Sequence, residues 1–381
     1  MNGGGSLGPG TAVFAGAAAP ARQMFLDDMR AQFARVPSLD GVRAVSILMV
    51  MLSHFVASDV FPGGFGVLIF FVVSGFLITR LLYAEMKSKR SVSLRNFYLR
   101  RFFRLYPVIV AYTLAVLALF AATRMRINWL EPLSALFYFA NYFYAHAMAV
   151  GSARHLMPFS IFWSLSIEEH FYILFPLLFV VLKGRPGPLA VAMTAIIAIC
   201  IFARLAVAYA HPELLTTHWF YYTELRLDSI AFGVLLASLC EIPAGQRFVD
   251  RMLKPEAVLG ATAILLACLL VRNDWFRETL RYSLQGGGVA VLLAAVLFSP
   301  RYRFAQIVLN YSVMSWIGVL SYSLYLWHFF ADSLVEDFAR VPHASQAILG
   351  FALSFAFAIP SYFLLERPLA TLRHRFGSHA T

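Results

Sequence analysis

Long apolar runs alternate with short polar stretches along the chain and divide it into eleven apolar segments. Runs of about 18 or more apolar residues are typical of helices that cross a membrane. The runs are continuous and do not alternate between apolar and polar positions, so they predict helices and not the strands of a barrel. The segments are residues 39–58, 63–82, 105–123, 132–149, 164–182, 188–209, 227–241, 256–271, 284–299, 311–333 and 345–365.

The placement of lysine and arginine indicates which segments cross the membrane. If the N-terminus is cytoplasmic and residues 132–149 do not cross, 21 of the 31 basic side chains face the cytoplasm and eight face the outside. The remaining two, Arg43 and Arg204, then lie within spans. Because cytoplasmic loops normally carry the excess of basic residues, we predict an all-α polytopic membrane helix bundle of about ten transmembrane helices, with both termini cytoplasmic. The aromatic segment 132–149 is expected to lie in the interface or to re-enter from outside.

The two ends of the chain differ in composition from its apolar middle. Residues 1–20 are rich in glycine and alanine and lack a basic start, so no cleavable signal peptide is expected. We predict a disordered or amphipathic cytoplasmic tail over residues 1–36, a transmembrane domain over 37–370, and a short cytoplasmic tail over 371–381.

The composition of the chain indicates which kinds of molecule it contacts. The chain is 60% hydrophobic and 13% charged, with a formal net charge of +11. Because the basic residues lie between apolar runs, this charge suits membrane topology and contact with lipids, and no nucleic-acid partner is expected. Cys200, Cys240 and Cys268 are interpreted as small buried side chains, and the sequence has no zinc-binding spacing, so no metal site is expected.

The stretch SLDGVRAVSILMVMLSH, residues 38–54, carries Arg43 and His54 on an otherwise apolar helix. Eleven residues turn a helix through about three full turns, so both side chains share one face, about 16 Å apart along the axis. Ionisable residues within a membrane are candidates for function. The structural alternatives are that Arg43 reaches phosphate headgroups and that His54 is a hydrogen-bonded bundle histidine.

A second stretch, FYLRRFFRLYP at residues 97–107, places Arg100, Arg101 and Arg104 on one cytoplasmic basic face. Arginine forks match the geometry of phosphate oxygens, which favours a docking site for the phosphates of a nucleotide-type donor. The alternative is an anchor on anionic lipid that serves only to fix the topology.

A third stretch, FWSLSIEEHFYILFP at residues 162–176, places Glu168 and Glu169 near the outer start of a span. Because this span is predicted to run from outside to inside, we expect the acidic pair to lie near the depth of His54. A carboxylate near a histidine would orient the ring and support its protonated form. The alternative is an exposed first turn whose charges complement the helix dipole.

Two further polar stretches are interpreted as more structural than catalytic. In ELRLDSIAFG, residues 224–233, we expect Glu224, Arg226 and Asp228 to pair with one another. In GVLSYSLYLWHFF, residues 318–330, His328 is expected in the outer half of its span.

Together these stretches resemble acyltransferase family 3, a family of polytopic membrane acyltransferases. The resemblance implies a ten-span fold that moves an acyl group, usually acetyl, from cytoplasmic acyl-CoA to a sugar hydroxyl. The acceptors that it implies are surface glycans, their lipid-linked precursors or small glycosides. The matching stretches, in family order, are LDGVRAVSILMVMLSHF, FFVVSGFLIT, FYLRRFFRLYP, WSLSIEEHFYILFP, RLDSIAFG, SYSLYLWH and ERP, the last at residues 366–368.

The same resemblance implies roles for single residues. The family's Arg-x10-His pair corresponds to Arg43 and His54, its Arg-x-x-Arg element to Arg101 and Arg104, and its acidic motif to Glu168. The residues expected to bind the acetyl-CoA donor are Arg43, Arg100, Arg101 and Arg104.

For catalysis we hypothesise that His54 acts as general base on the sugar hydroxyl, with Glu168 or Glu169 orienting it. In an alternative mechanism His54 is the nucleophile and carries the acyl group. The expected partners are acyl-CoA, a glycan, lipid-linked sugar or glycoside acceptor, and membrane lipids, and the expected location is the bacterial cytoplasmic (inner) membrane.

Two other classes of protein retain the same spans. A glycan or lipid transporter would keep the basic loops without a CoA site, and a non-catalytic membrane subunit would use its buried polar pairs only for folding.

Overall fold

The computed structural model describes residues 36, 38–57, 60–150, 157–213, 221–338 and 342–374. Helices dominate this part of the chain, and it contains no β-strand, which confirms the all-α prediction. The α-helices are α1 Leu39–Phe55, α2 Gly63–Lys89, α3 Leu94–Ala122, α4 Leu130–Leu136, α5 Ala140–Ala149, α6 Phe162–Val181, α7 Pro186–Ala210, α8 Leu227–Leu239, α9 Pro243–Met252, α10 Pro255–Leu270, α11 Asp274–Glu278, α12 Arg281–Phe298, α13 Arg303–Leu309, α14 Ser312–Phe338, α15 His343–Ser361 and α16 Arg367–His374.

Local sequence signals account for several helix starts. Prolines stand in the first turn of α7, α9 and α10, where the missing backbone N–H has no helical partner to lose. The side chain of Asn273 accepts a hydrogen bond from the backbone N–H of Phe276 at 3.0 Å and so caps α11.

Six helices among the described residues are long and apolar enough to cross a membrane. The number of candidate spans rises to eight if each of two bent helix pairs counts as one span. The bent pairs are α8 with α9, at 117°, and residues 300–309 with α14, at 69°. The two other predicted spans contain the shorter helices α1, of 17 residues, and α10, of 16. The chain is therefore a multi-pass membrane protein, while the count of ten spans, the side of each terminus and the domain limits stay predictions. The structure describes no side chain of the predicted C-terminal tail, residues 371–381. Of the predicted N-terminal tail, residues 1–36, it describes only residue 36.

The aromatic segment 132–149 breaks into two short helices, α4 and α5. Between them Tyr138 has a positive φ of 58°, a left-handed conformation that ends the first helix. A ten-residue helix is about 15 Å long, half the thickness of the hydrocarbon core, so neither helix crosses a bilayer. This agrees with the prediction that the segment does not cross.

Glu131 on α4 is fully buried and gives a pH-dependent prediction. Burial raises its pKa to about 7, although the Tyr144 hydroxyl donates a hydrogen bond to its Oε2 at 2.9 Å. The folded state therefore holds a proton that the unfolded state releases between the ordinary pKa of 4.5 and 7. We expect the free energy of unfolding to fall as pH rises across this window. Unfolding of Glu131→Gln in detergent should lack this dependence; an unchanged pH profile would contradict the assignment.

Close backbone approaches hold the central helices together. Helix α1 packs against α2 and α14, and α2 packs against α8. A Cβ atom on Gly318 of α14 would collide with the carbonyl of Asp40, and one on Gly233 of α8 with that of Val72. Small residues at such contacts let membrane helices pack at short distance. These contacts place α1 against α2 and α14, and α2 against α8.

Candidate active site

His54 lies at the C-terminal end of α1, and its side chain is about one third exposed (33%). Its Nδ1 lies 3.7 Å from Oδ2 of Asp332 on α14, an ion-pair distance when the imidazole is protonated. The rings of His328 and Phe329 stand edge-on to it, with centroids 5.2 and 5.3 Å away. His54 is therefore an accessible imidazole held between a carboxylate and two aromatic rings.

His328, four residues before Asp332, is fully buried at the back of this site. Its Nδ1 lies 3.0 Å from the carbonyl oxygen of Leu324. Because a carbonyl oxygen only accepts hydrogen bonds, Nδ1 carries the proton and Nε2 presents a lone pair. Among the described residues, Nε2 has no hydrogen-bond partner. His328 forms one wall of the His54 site, and its interpretation as more structural than catalytic stays a prediction.

The predicted contact between His54 and the acidic pair is wrong. Gly63, at the start of α2, packs on Ser53 beside His54. Ser74 lies eleven residues further along α2, about 16 Å away at 1.5 Å per residue, and its hydroxyl donates to Oε1 of Glu168 at 2.7 Å. Glu168 therefore lies deeper in the bundle than His54. The roles of Glu168 and Glu169 in catalysis stay predictions, without the predicted pairing.

Glu169 lies with the predicted donor-binding arginines. Its Oε1 accepts a hydrogen bond from Nη2 of Arg101 at 3.3 Å, and the Arg101 guanidinium carbon stands 3.4 Å above the centroid of the Tyr172 ring. Arg104 interacts electrostatically with both Glu168 and Glu169. Two members of the predicted basic face, Arg101 and Arg104, thus form one cluster with the acidic motif.

The other two predicted donor-binding arginines contact carboxylates of their own. Arg43 lies 3.7 Å from Asp40, one turn earlier on α1, and its side chain is mostly buried. Nη2 of Arg100 donates to Oε2 of Glu85 at 2.8 Å. Helix α1 is continuous from Leu39 to Phe55, so Arg43 and His54 do lie on one helix as predicted. Whether any of these arginines binds a phosphate stays a prediction.

Tyr325 lies between the His54 site and the acidic motif. Its ring centroid lies 5.8 Å from that of His328, and its hydroxyl shares a hydrogen bond of 2.5 Å with Ser164 on α6. The same hydroxyl interacts electrostatically with Glu168. Buried polar groups therefore run from the histidine site toward the acidic motif.

A separate buried network surrounds Arg204. Its contacts show that the predicted pairing within residues 224–228 is wrong. Glu224, Arg226 and Asp228 do not pair with one another: Asp228 accepts from Nη2 of Arg204 at 2.7 Å, and Glu224 accepts from the Tyr142 hydroxyl at 2.9 Å. Both Arg204 and Asp228 are essentially inaccessible to solvent. Arg204, the arginine predicted within the span of residues 188–209, thus forms an ion pair with a carboxylate on α8.

Asp332 is the site residue that the sequence interpretation missed. The polar stretch that drew attention ends at residue 330, two positions before it. The signal was nonetheless present, because residues four apart on a helix lie on one face, and His328 and Asp332 have this spacing. No group of three or more His, Cys, Asp or Glu side chains within the described ranges is placed to hold a metal ion.

Comparison with known proteins gives a consistent set of relatives. The peptidoglycan O-acetyltransferase OatA of Listeria monocytogenes is 29% identical over 350 residues, which cover 88% of this chain and 56% of that protein. The putative peptidoglycan O-acetyltransferase YrhL of Bacillus subtilis is 29% identical over 355 residues, covering 88% and 55%. A putative O-acetyltransferase of Staphylococcus aureus (strain COL) is 28% identical over 358 residues, covering 87% and 57%. The chain thus spans little more than half the length of these relatives.

No solved structure matches the chain. The profile of acyltransferase family 3, described as an acyltransferase domain, matches residues 36–367, which include His54, both acidic residues and all four predicted donor-binding arginines. This match covers most of the chain and confirms the resemblance on which the predicted site residues depend: the protein belongs to acyltransferase family 3.

Proposed function

We propose that the chain is a membrane O-acetyltransferase that transfers an acetyl group from acyl-CoA to a sugar hydroxyl in a surface polysaccharide, lipid-linked glycan or glycoside. The observation that carries the proposal is the accessible His54 imidazole with Asp332 at its Nδ1 and His328 beside it. Family membership supports acyl transfer, and relatives named as peptidoglycan O-acetyltransferases support a glycan acceptor. As part of the same proposal, the protein lies in the bacterial cytoplasmic (inner) membrane; its apolar spans and its bacterial relatives support a membrane location.

In the proposed reaction the sugar hydroxyl oxygen attacks the carbonyl carbon of the thioester while Nε2 of His54 takes the hydroxyl proton. The new C–O bond forms, the C–S bond breaks, and the proton passes to the departing thiolate of coenzyme A. Asp332 stabilises the imidazolium that forms, because its carboxylate lies at Nδ1. His328 and Phe329 pack edge-on against the ring and restrict its orientation.

The donor is proposed to lie between the arginine cluster and His54. Coenzyme A is an elongated anion with phosphates at one end and the thioester at the other. Arg101 and Arg104 supply guanidinium groups for phosphate oxygens. Arg101 is already positioned against Tyr172 and Glu169, which reduces the ordering that binding requires.

We expect Arg104→Gln to raise the apparent KM for acetyl-CoA about tenfold or more, with a smaller change in kcat, since a charge-assisted hydrogen bond to the donor is lost. The measurement is transfer of labelled acetyl from acetyl-CoA by membranes that contain the full chain. Arg95→Gln is the matched control, because Arg95 is an exposed arginine on the same helix. A KM equal to that of the control would contradict a phosphate contact at Arg104.

The function itself is tested by mass spectrometry of surface glycans and glycolipids from cells with and without the gene. The expected result is loss of an alkali-labile increment the size of one acetyl group. An unchanged glycan profile, together with no transfer of labelled acetyl to any sugar by the membranes, would contradict the proposed function.

A further inference from the structure

Arg226, just before α8, is a buried cation outside the site described above. Arg226 is 2% exposed. Its guanidinium carbon lies 3.9 Å from the centroid of the Tyr282 ring and 5.8 Å from the centroid of the Phe71 ring. Its Nε and Nη1 atoms are inaccessible and have no hydrogen-bond partner within the described residues. Buried donors are nearly always paired, so two orphaned N–H groups on one arginine indicate a missing acceptor.

The neighbouring carboxylates do not supply that acceptor. Oδ2 of Asp228 accepts from Arg204 and from the Ser283 hydroxyl, and its Oδ1 accepts from the backbone N–H of Ser229 at 2.8 Å. Glu278 accepts from the Tyr282 hydroxyl at 3.5 Å, and no ion pair in the described part of the chain joins it to Arg226. Both acids are therefore engaged elsewhere.

The charges of this cluster do not balance. Three guanidinium groups surround the Tyr282 ring, those of Arg204, Arg226 and Arg281, at 5.8, 3.9 and 5.0 Å from its centroid. Among the residues that the structure describes here, Asp228 and Glu278 are the carboxylates that oppose them, which leaves an excess of one positive charge within this part of the chain. Nε of Arg281 is a further buried donor without a partner among the described residues. Because an uncompensated buried charge is costly, the cluster fits one added anion.

The position of the cluster connects it to the histidine site. Phe71 of α2 contacts Arg226, while the preceding residue, Phe70, stacks edge-on to Tyr325 at 6.3 Å. Tyr325 in turn lies beside His328. Three side chains, those of Phe71, Phe70 and Tyr325, thus lie between the Arg226 guanidinium and His328, the wall of the His54 site. The predicted donor-binding cluster at Arg101 lies elsewhere, with Glu169 and Tyr172.

We propose that Arg226, assisted by Arg281, binds an anionic group of the sugar acceptor, a carboxylate or a phosphate. This inference rests on the proposed function for the identity of the ligand as a sugar. Its physical basis is independent of catalysis, since the orphaned donors and the excess charge belong to the resting protein. A bidentate guanidinium contact would fix the acceptor and leave a sugar hydroxyl to be presented to His54.

The first test uses the full chain in detergent and needs no turnover. The probes are glucuronate and glucose 1-phosphate, with glucose as the neutral control, and the measurement is the shift in apparent Tm with probe concentration. We expect at least one anionic sugar to stabilise the protein and glucose to have no effect. Stabilisation by glucuronate alone identifies a carboxylate site, and by glucose 1-phosphate alone a phosphate site. Equal shifts with glucose, or no shift with either anion, would overturn the proposal.

The second test uses variants. Arg226→Gln should weaken binding of the anionic sugar about tenfold or more, and Arg226→Lys, which keeps the charge but loses the fork, should weaken it less. Arg277→Gln is the control, because Arg277 is an exposed arginine on α11 paired with Asp274. Affinity unchanged in both Arg226 variants would overturn the proposal. Anion binding that persists in a protein without acetyl transfer would reject the proposed function but retain the anion site.

Discussion

Replacing His54 with alanine is expected to reduce acetyl transfer about a thousandfold or more while the protein stays folded. General base catalysis contributes on the order of 10²- to 10⁴-fold, and loss of a nucleophile costs at least as much. Because the side chain is one third exposed and lies at the end of its helix, its removal should lower the free energy of unfolding by no more than about 2 kcal/mol. The measurement is transfer of labelled acetyl to the endogenous glycan at equal protein level.

The matched control is His146→Ala, since His146 is an exposed histidine on α5. The control should keep full activity. Full activity in His54→Ala would reject both the general base and the acyl-histidine mechanism. To separate the two, labelled acetyl-CoA is added without acceptor: label on His54 would identify the acyl-histidine, and its absence in an active preparation would favour the base.

Removing the carboxylate of Asp228 is expected to destabilise the protein by about 3–5 kcal/mol, because Asp228→Ala leaves the Arg204 guanidinium buried and unpaired. Arg204 also donates to the backbone carbonyls of Thr279 and Leu225, so the network joins α7 to the start of α8 and to the turn before α12. The free energy of unfolding in mixed micelles measures the loss.

Two comparisons make this expectation specific. Asp274→Ala removes the carboxylate of an exposed pair, Asp274 with Arg277, and should cost less than about 1 kcal/mol. The double variant Arg204→Met with Asp228→Leu removes both charges and should recover much of the stability. A loss in Asp228→Ala no larger than in Asp274→Ala would contradict the buried ion pair.

Helix pitch and hydropathy predict the local part of this architecture. Arg43 and His54 belong to one uninterrupted helix, so their common face follows from spacing alone. The charge bias likewise predicted that residues 132–149 do not cross the membrane, in agreement with the two short helices found there. These features depend on residues close in sequence, for which the backbone geometry is fixed.

The contacts between helices, in contrast, could not be predicted from the sequence. The acidic pair was placed at the depth of His54 because it stands near the start of its segment, yet α6 begins at Phe162 and carries Glu168 about 9 Å inward, at 1.5 Å per residue. Its level relative to α1 depends on the packing of α2 between them. The same holds for Arg204, whose partner Asp228 lies 24 positions away on another helix. Sequence identified the polar residues other than Asp332, but not the partners of Arg204 and His54.

Helix α1 is pinned by close contacts along its length. Gly41 and Gly318 bring its N-terminal end against α13 and α14, Gly66 meets the carbonyl of Ser46 in the middle, and Gly350 packs on Phe55 at the other end. Backbone packed this closely leaves α1 no room to slide along its axis. Helix geometry already fixes the distance of about 16 Å between Arg43 and His54, and these contacts fix the position of both residues relative to α13, α14 and α15. Repositioning either end of the site would therefore require several helices to move together.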